Sequence, residues 1–333
     1  MEILFKTTTT QLVNDVQNFV CDWNTEPFTL TIKTSGSTGQ PKTCYFTREQ
    51  VTASALRTLS YFKITPGKKA LLCLATDTIA GKMMMVRSLV GRLHLNVTDA
   101  VANPLGNCTE PIDFIAVVPY QLDRILHERP SSLRGIQTIL VGGASISSAL
   151  EEKLESHGIT AYHTFGMTET ITHFAVRKIG ANGERNYRAL EGVSFETKNK
   201  ELVLNDTLLG IYAMPTGELV SAVTNDSFEW LGRKDFLINT GGVSVQPEEI
   251  EKILSFHLSS PFFIAGLPHP QLGEEVTLVM EGKEKFDPNI LQQITKKFHR
   301  PRKIIHLDAF IYTRNGKLDR RATIKCITNN VPE

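Results

Sequence analysis

No CxxC pair and no HExxH interrupts the 333 residues of this sequence. Its five cysteines (Cys21, Cys44, Cys73, Cys108 and Cys326) are scattered and odd in number, which argues against a disulfide framework or a zinc site and fits a reducing cytosol. No apolar run approaches the roughly 20 residues that span a bilayer, and the opening MEILFKTTTT has no signal-peptide core. A cytoplasmic protein without a membrane span is therefore expected. An excess of one charge is missing as well. The formal net charge is +1, so no bulk field draws nucleic acid or an anionic membrane. Internal repeats, low-complexity tracts and Pro/Gly/Ser linkers are also lacking. What remains is an ordinary soluble composition over a length sufficient for two domains.

Residues 10–23 read as an amphipathic helix, with Thr10 as N-cap and Leu12, Val13, Val16, Phe19, Val20 and Trp23 on one face. From 29 to about 170, strand patterns (29–33, 69–75, 93–98, 113–118, 136–141, 159–164) alternate with helical ones (47–60, 80–90, 119–127, 146–156). That alternation predicts an α/β fold with crossover units and a largely parallel sheet. Beyond 187, FETKNKELVLND and GELVSAVTNDSFEWLGR read as hairpins of a small β unit. A second α/β region follows Arg233. In it QPEEIEKIL is a helix opening at Pro247, FFIAGLP and VTLVMEG are strands, and DPNILQQITKKFH is a helix capped by Asp287.

The stretch TLTIKTSGSTGQPKT carries the most chemistry. A strand runs into Thr34, Ser35, Gly36, Ser37, Thr38, Gly39, Gln40, Pro41 and Lys42. Glycines allow close backbone approach, successive N–H groups form an anion nest, hydroxyls add donors and Lys42 supplies a point charge. Such a segment suits phosphate; the alternative is a polar strand-to-helix turn. A Walker A loop is excluded, because its second glycine would fall on Pro41.

TSGSTGQPK resembles the phosphate loop of the adenylate-forming superfamily, which includes acyl-CoA synthetases, luciferases and peptide-synthetase adenylation domains. Further stretches resemble that family's motifs in the family's order. LVGGASI is similar to its adenine-binding turn, at Gly142, Gly143 and Ala144. YHTFGMTET resembles its aromatic-Gly-x-Thr-Glu motif. This implies that Phe165 stacks on adenine where the family usually has Tyr, that Thr168 contacts the α-phosphate and that Glu169 holds Mg²⁺. PTGELVSAVTNDSFEWLGRKD implies that Glu218 (where the family has Asp) binds the ribose hydroxyls and that Arg233 contacts ribose or phosphate, with Asp235 as hinge. INTGGVSVQPEEIE implies that the Gly241-Gly242 loop serves thioester formation. YTRNGKLDRRA implies that Lys317 is the catalytic lysine.

The resemblance thus implies an AMP-forming acid–thiol ligase using ATP, Mg²⁺ and coenzyme A on a small-molecule carboxylic acid. A large N-terminal domain, 1–234, would carry a mostly parallel sheet plus the β unit, and a small mobile α+β domain would occupy 235–333. LATDTIAGKMMMVRSLVGRL looks like the helix lining the acid pocket, most like that of short o-succinylbenzoate–CoA ligases of menaquinone synthesis. Lys82 or Arg87 would then meet a second carboxylate of the acid, with Gly166 in the same pocket and Met83 to Met85 as either aromatic slot or core. Thr78 stands where the family often has His. Transfer to a carrier protein, another acid substrate, and a non-catalytic nucleotide-binding homologue are the alternatives, and a homo-oligomer is left open.

Overall fold

The computed structural model describes residues 2–33, 43–106, 108–312 and 318–329. Its strands, in chain order, are β1 Ile3–Phe5, β2 Thr29–Lys33, β3 Thr43–Thr47, β4 Lys69–Leu72, β5 His94–Val97, β6 Phe114–Val117, β7 Thr138–Val141, β8 Thr160–Gly166, β9 His173–Gly180, β10 Tyr187–Ala189, β11 Val193–Lys198, β12 Glu201–Asp206, β13 Ile211–Ser221, β14 Ser227–Arg233, β15 Ile238–Thr240, β16 Val243–Val245, β17 Phe262–His269, β18 Gly273–Glu281 and β19 Lys303–Leu307. The helices are α1 Thr10–Trp23, α2 Arg48–Tyr61, α3 Ile79–Gly91, α4 Pro119–Glu128, α5 Ser148–Ser156, α6 Pro247–Leu254 and α7 Arg320–Asn329.

A twelve-stranded sheet runs in the order β1-β5-β4-β6-β7-β8-β9-β10-β14-β13-β12-β11. Pairing is parallel from β1 to β8 and antiparallel from β8 onward. The expected β unit is thus continuous with the parallel strands. Both faces of the parallel half are covered, which is why its strands read as unbroken apolar runs. Alternate side chains go opposite ways. Leu72, Phe114 and Leu140 join Val51, Ala55 and Leu59 of α2 and Met83 to Val86 of α3. Leu71, Ile115, Ile139 and Val141 join Leu122 and Ile125 of α4 and Leu150 and Leu154 of α5. The three methionines are therefore core, each no more than 1% exposed.

A second sheet, β16-β15-β18-β17 with β19 parallel to β18, carries the chain from Ile238 onward. Two-residue turns with positive φ close two hairpins, at Asn199-Lys200 and at Gly241-Gly242, the geometry that matches strand twist.

Three sequence expectations are corrected. The 29–33 strand does not join the parallel sheet; it pairs antiparallel with β3, Lys33 opposite Thr43. Helix α1 is preceded by Thr9, not Thr10, at its N-cap. Residues 287–299 form two short 3₁₀ turns, Pro288–Gln293 and Lys297–His299, instead of one helix. Asp287 does cap the first, accepting from the Asn289 N–H at 2.9 Å, but the Arg300 side chain takes the Ile294 carbonyl at 2.7 Å.

Candidate active site

The candidate residues gather where the sheet changes from parallel to antiparallel, at the end of β7 and around the β8–β9 connection. Carboxyl ends of parallel strands are where open α/β sheets place their ligands. The turn Gly142–Ala144 follows β7. A Cβ on Gly142 would lie 2.4 Å from Thr164 Oγ1, and Gly143 has φ +88°, so only glycine fits this close crossing over β8. Thr164 Oγ1 donates to the Val141 carbonyl at 3.1 Å.

Phe165, next along β8, sits among Phe174, Tyr187, Phe228 and Trp230, with ring centroids 4.8 to 6.4 Å away. The Trp230 indole N–H donates to Glu218 Oε2 at 2.8 Å. Glu218 stands opposite Arg233 in the β13–β14 register, its Oε1 3.9 Å from Arg233 Nε. The three residues expected at base and ribose are thus linked through Trp230, which the sequence did not single out. Arg233 also reaches Asp235 Oδ2 at 3.4 Å, and Arg321 of α7 reaches the same oxygen at 3.0 Å. The residue expected as hinge is therefore gripped from both sides of the boundary between the sheets.

Between β8 and β9 the backbone is strained. Ile171 has φ +66° and ψ −62°, and the Thr172 N–H donates to the Thr170 carbonyl at 2.7 Å. This is the γ-turn of the unfavourable hand, at a β-branched residue. It is held because Ile171 is fully buried and because Thr170 Oγ1 donates within 3 Å of both the Met167 and Thr172 carbonyls. Gly166 is required here too, since a Cβ would fall 2.1 Å from the Thr172 carbonyl oxygen. The strain separates two neighbours in direction. Glu169 is exposed and makes no ion pair among the described residues. Thr172 turns inward.

Thr172 Oγ1 accepts from Arg87 at 3.1 Å and lies 3.3 Å from Ser54 Oγ. Arg87 is 2% exposed. It forms no ion pair among the described residues, and its Nε has no hydrogen-bond partner. Burial pushes its pKa down to about 10, so it remains a cation at neutral pH. Beside it, Arg57 is fully matched by Asp206 through two 2.8 Å bonds. His173, 3.3 Å from Thr58 Oγ1, is held neutral by burial and then by Arg87 and Arg57. These buried side chains together thus keep one net positive charge under cover.

Lys82 takes a different course. Its ammonium donates to the Thr31 carbonyl at 3.2 Å, and burial lowers its pKa against Asp77 and Asp22. Thr78 caps α3 through the Gly81 N–H at 3.1 Å. Gly241 and Gly242 form a hairpin tip on the second sheet. The phosphate-loop residues Thr34 to Lys42, and Lys317, lie outside the described residues. Their neighbours are fixed: Lys33 pairs with Thr43, and Tyr312 bridges to Leu318. A cavity of about 340 Å³ lined by Tyr61, Tyr162, Lys178 and Arg188 opens near Thr138, at the start of β7, and is not this site.

Residues 24–221 match the family described as AMP-binding enzyme. The chain is 25% identical to the 2-succinylbenzoate–CoA ligase of Salmonella typhimurium, covering 97% of this chain and 74% of that one. It is 29% identical to the enzyme of that name from Escherichia coli, but covers only 57% of its length. Among solved structures it is similar to an acyl-CoA synthetase (AMP-forming)/AMP-acid ligase II-like protein of Dyadobacter fermentans, at 30% identity and a TM-score of 0.63 over 97% of this chain and 96% of that one. The fold is also that of the Bacillus subtilis O-succinylbenzoate coenzyme A synthetase solved with ATP and magnesium, with a TM-score of 0.77 at 19% identity over 88% of this chain and 69% of that one.

Proposed function

We propose, from the premise that this chain belongs to the AMP-binding enzyme family, that it is an acid–coenzyme A ligase activating an aromatic dicarboxylic acid, o-succinylbenzoate, as its acyl-adenylate. The observation that carries this reading is Arg87, a buried cation that hydrogen-bonds to Thr172 and has no carboxylate partner among the described residues. An unpaired buried charge is costly unless a ligand completes it. A second carboxylate on the acid would do so, and the names of the similar ligases favour the same substrate.

Adenylation is in-line attack of a carboxylate oxygen on the α-phosphorus, forming the P–O–acyl bond and expelling pyrophosphate. Two anions must meet, so catalysis is chiefly positioning and fixed positive charge. In this reading Gly142–Ala144 and Phe165 hold the base, and Glu218 and Arg233 hold the ribose. Thr34 to Lys42 cradle the phosphates, Thr168 contacts the α-phosphate, and Lys317 steadies the acid's carboxylate. Glu169, exposed and without an ion pair among the described residues, suits Mg²⁺, a hard cation commonly bound by one or two carboxylates plus substrate phosphates; bound there, it would neutralise phosphate charge. In the second half-reaction the thiol attacks the acyl carbonyl and AMP leaves. Rotation of residues 235–333 about Asp235 would exchange Lys317 for the Gly241-Gly242 tip.

The test is AMP and pyrophosphate release across an acid panel, with and without coenzyme A. Release with o-succinylbenzoate, and thioester only when coenzyme A is present, is expected. Absence of pyrophosphate exchange with every acid would mean a nucleotide-binding protein without ligase activity.

A further inference from the structure

We propose that His163 is a positioning residue for the nucleotide base, its imidazole setting the height of the Gly142–Ala144 turn above the sheet. The proposal rests on reading that turn as the adenine site. His163 Nε2 lies 3.0 Å from the Ala144 carbonyl oxygen, and Nδ1 lies 2.6 Å from the Tyr187 hydroxyl. A carbonyl only accepts, so Nε2 carries the proton and Nδ1 accepts from the Tyr187 O–H. One tautomer satisfies both partners.

The side chain is 7% exposed. Burial lowers its pKa to about 4, with the Ala144 carbonyl opposing and Arg177 assisting, which keeps the ring neutral and Nδ1 free to accept.

Two consecutive residues of β8 therefore bracket the turn. Thr164 holds the Val141 carbonyl before the glycines, and His163 holds the Ala144 carbonyl after them. The tether continues outward. Tyr187 lies under the Arg177 guanidinium, 5.5 Å from ring centroid to Cζ, and Arg177 is paired with Glu151 of α5. The turn's position is thus referred back to a helix behind the sheet. Loss of the His163 bond releases one end of a glycine turn that has little rigidity of its own.

The experiment uses the full chain and measures ATP and GTP binding by calorimetry, together with acid-dependent pyrophosphate exchange. His163→Leu should raise KM for ATP about tenfold and lower the ATP-over-GTP preference by a similar factor, with kcat within about threefold and KM for the acid unchanged. His163→Gln, whose amide N–H can still reach the Ala144 carbonyl, should recover most of both. Tyr187→Phe removes one oxygen and should fall between them, and it carries the test should His163→Leu not fold. A His163→Leu protein that matches the parent in ATP KM and base preference would overturn the proposal. So would equal losses in kcat and in both KM values alongside a lowered Tm, which would make His163 a general core residue. If the unaltered chain binds no ATP, the adenine-site reading itself fails, a different result from either.

Discussion

Replacing Arg87 by Met tests the substrate reading directly. The guanidinium is covered, donates to Thr172 Oγ1 at 3.1 Å and leaves Nε without a partner. Its pKa, pushed down by burial to about 10, leaves it charged at neutral pH. Arg87 is therefore a buried cation without an ion-pair partner among the described residues, and an anion would complete it. A charge-assisted contact to a desolvated carboxylate is worth roughly 2–5 kcal/mol, and each 1.36 kcal/mol is tenfold. Arg87→Met should lower kcat/KM for o-succinylbenzoate on the order of 10²- to 10³-fold, while an aromatic monocarboxylic acid should change by less than about threefold. The same substitution puts an apolar side chain of similar volume in place of an uncompensated charge, so Tm should hold or rise. AMP release with the two acids and a thermal melt supply all three numbers. Equal losses with both acids, or a melt lowered by several degrees, would make Arg87 a structural cation and remove the argument for a dicarboxylic substrate.

Lys317→Ala should cut adenylation on the order of 10²-fold or more while sparing thioester formation from supplied acyl-adenylate; equal loss in both half-reactions would contradict its assignment. Trp230→Phe removes the indole donor to Glu218 and should raise KM for ATP several-fold with little change in kcat, read from pyrophosphate exchange. Asp206→Ala leaves Arg57 buried and unpaired and should cost about 3–5 kcal/mol in a urea titration. Acid should destabilise the fold through His163. Its folded pKa, about 4, lies below that of the unfolded chain, so between about pH 6.5 and 4 the unfolded state binds the extra proton and stability falls as pH drops, by roughly 3 kcal/mol across the window. His163→Gln should flatten that slope; an unchanged slope would refute the assignment.

The legible parts of this fold were those decided by local pattern. Helix α2 was read from the helical pattern at 47–60, and the structure adds a reciprocal capping box of Thr47 and Gln50 at its start; the parallel strands were read from their apolar runs. Partner choice was not legible. TLTIK reads like the strands after it, yet it pairs with TCYFT, a stretch with only Phe46 buried. The capping signals at Asp287 and Pro288 were correct, but of 287–299 only Ile294 and His299 are buried, too little apolar surface to fix a longer helix by packing. The site residues that went unnoticed meet across β8, β9, β10 and β14, where contacts depend on register. Arg87 was named from the sequence with Lys82; its burial was foreshadowed by residues 83–86, four consecutive apolar residues that are all buried.

The remaining surprise, the strained Ile171, follows from where the sheet changes direction. Strands β7 and β8 are parallel, and β8 and β9 are antiparallel with a register shift at Gly166, so the chain must reverse within the six residues from Met167 to Thr172. A relaxed reversal would turn successive side chains outward together. The left-handed φ at Ile171 instead sends Glu169 to solvent and Thr172 to Arg87. One backbone distortion thereby sends an exposed carboxylate and a hydroxyl bonded to a buried guanidinium in different directions. Strain of this kind costs about 1–3 kcal/mol and persists because burial of Ile171 and the Thr170 hydroxyl hold it.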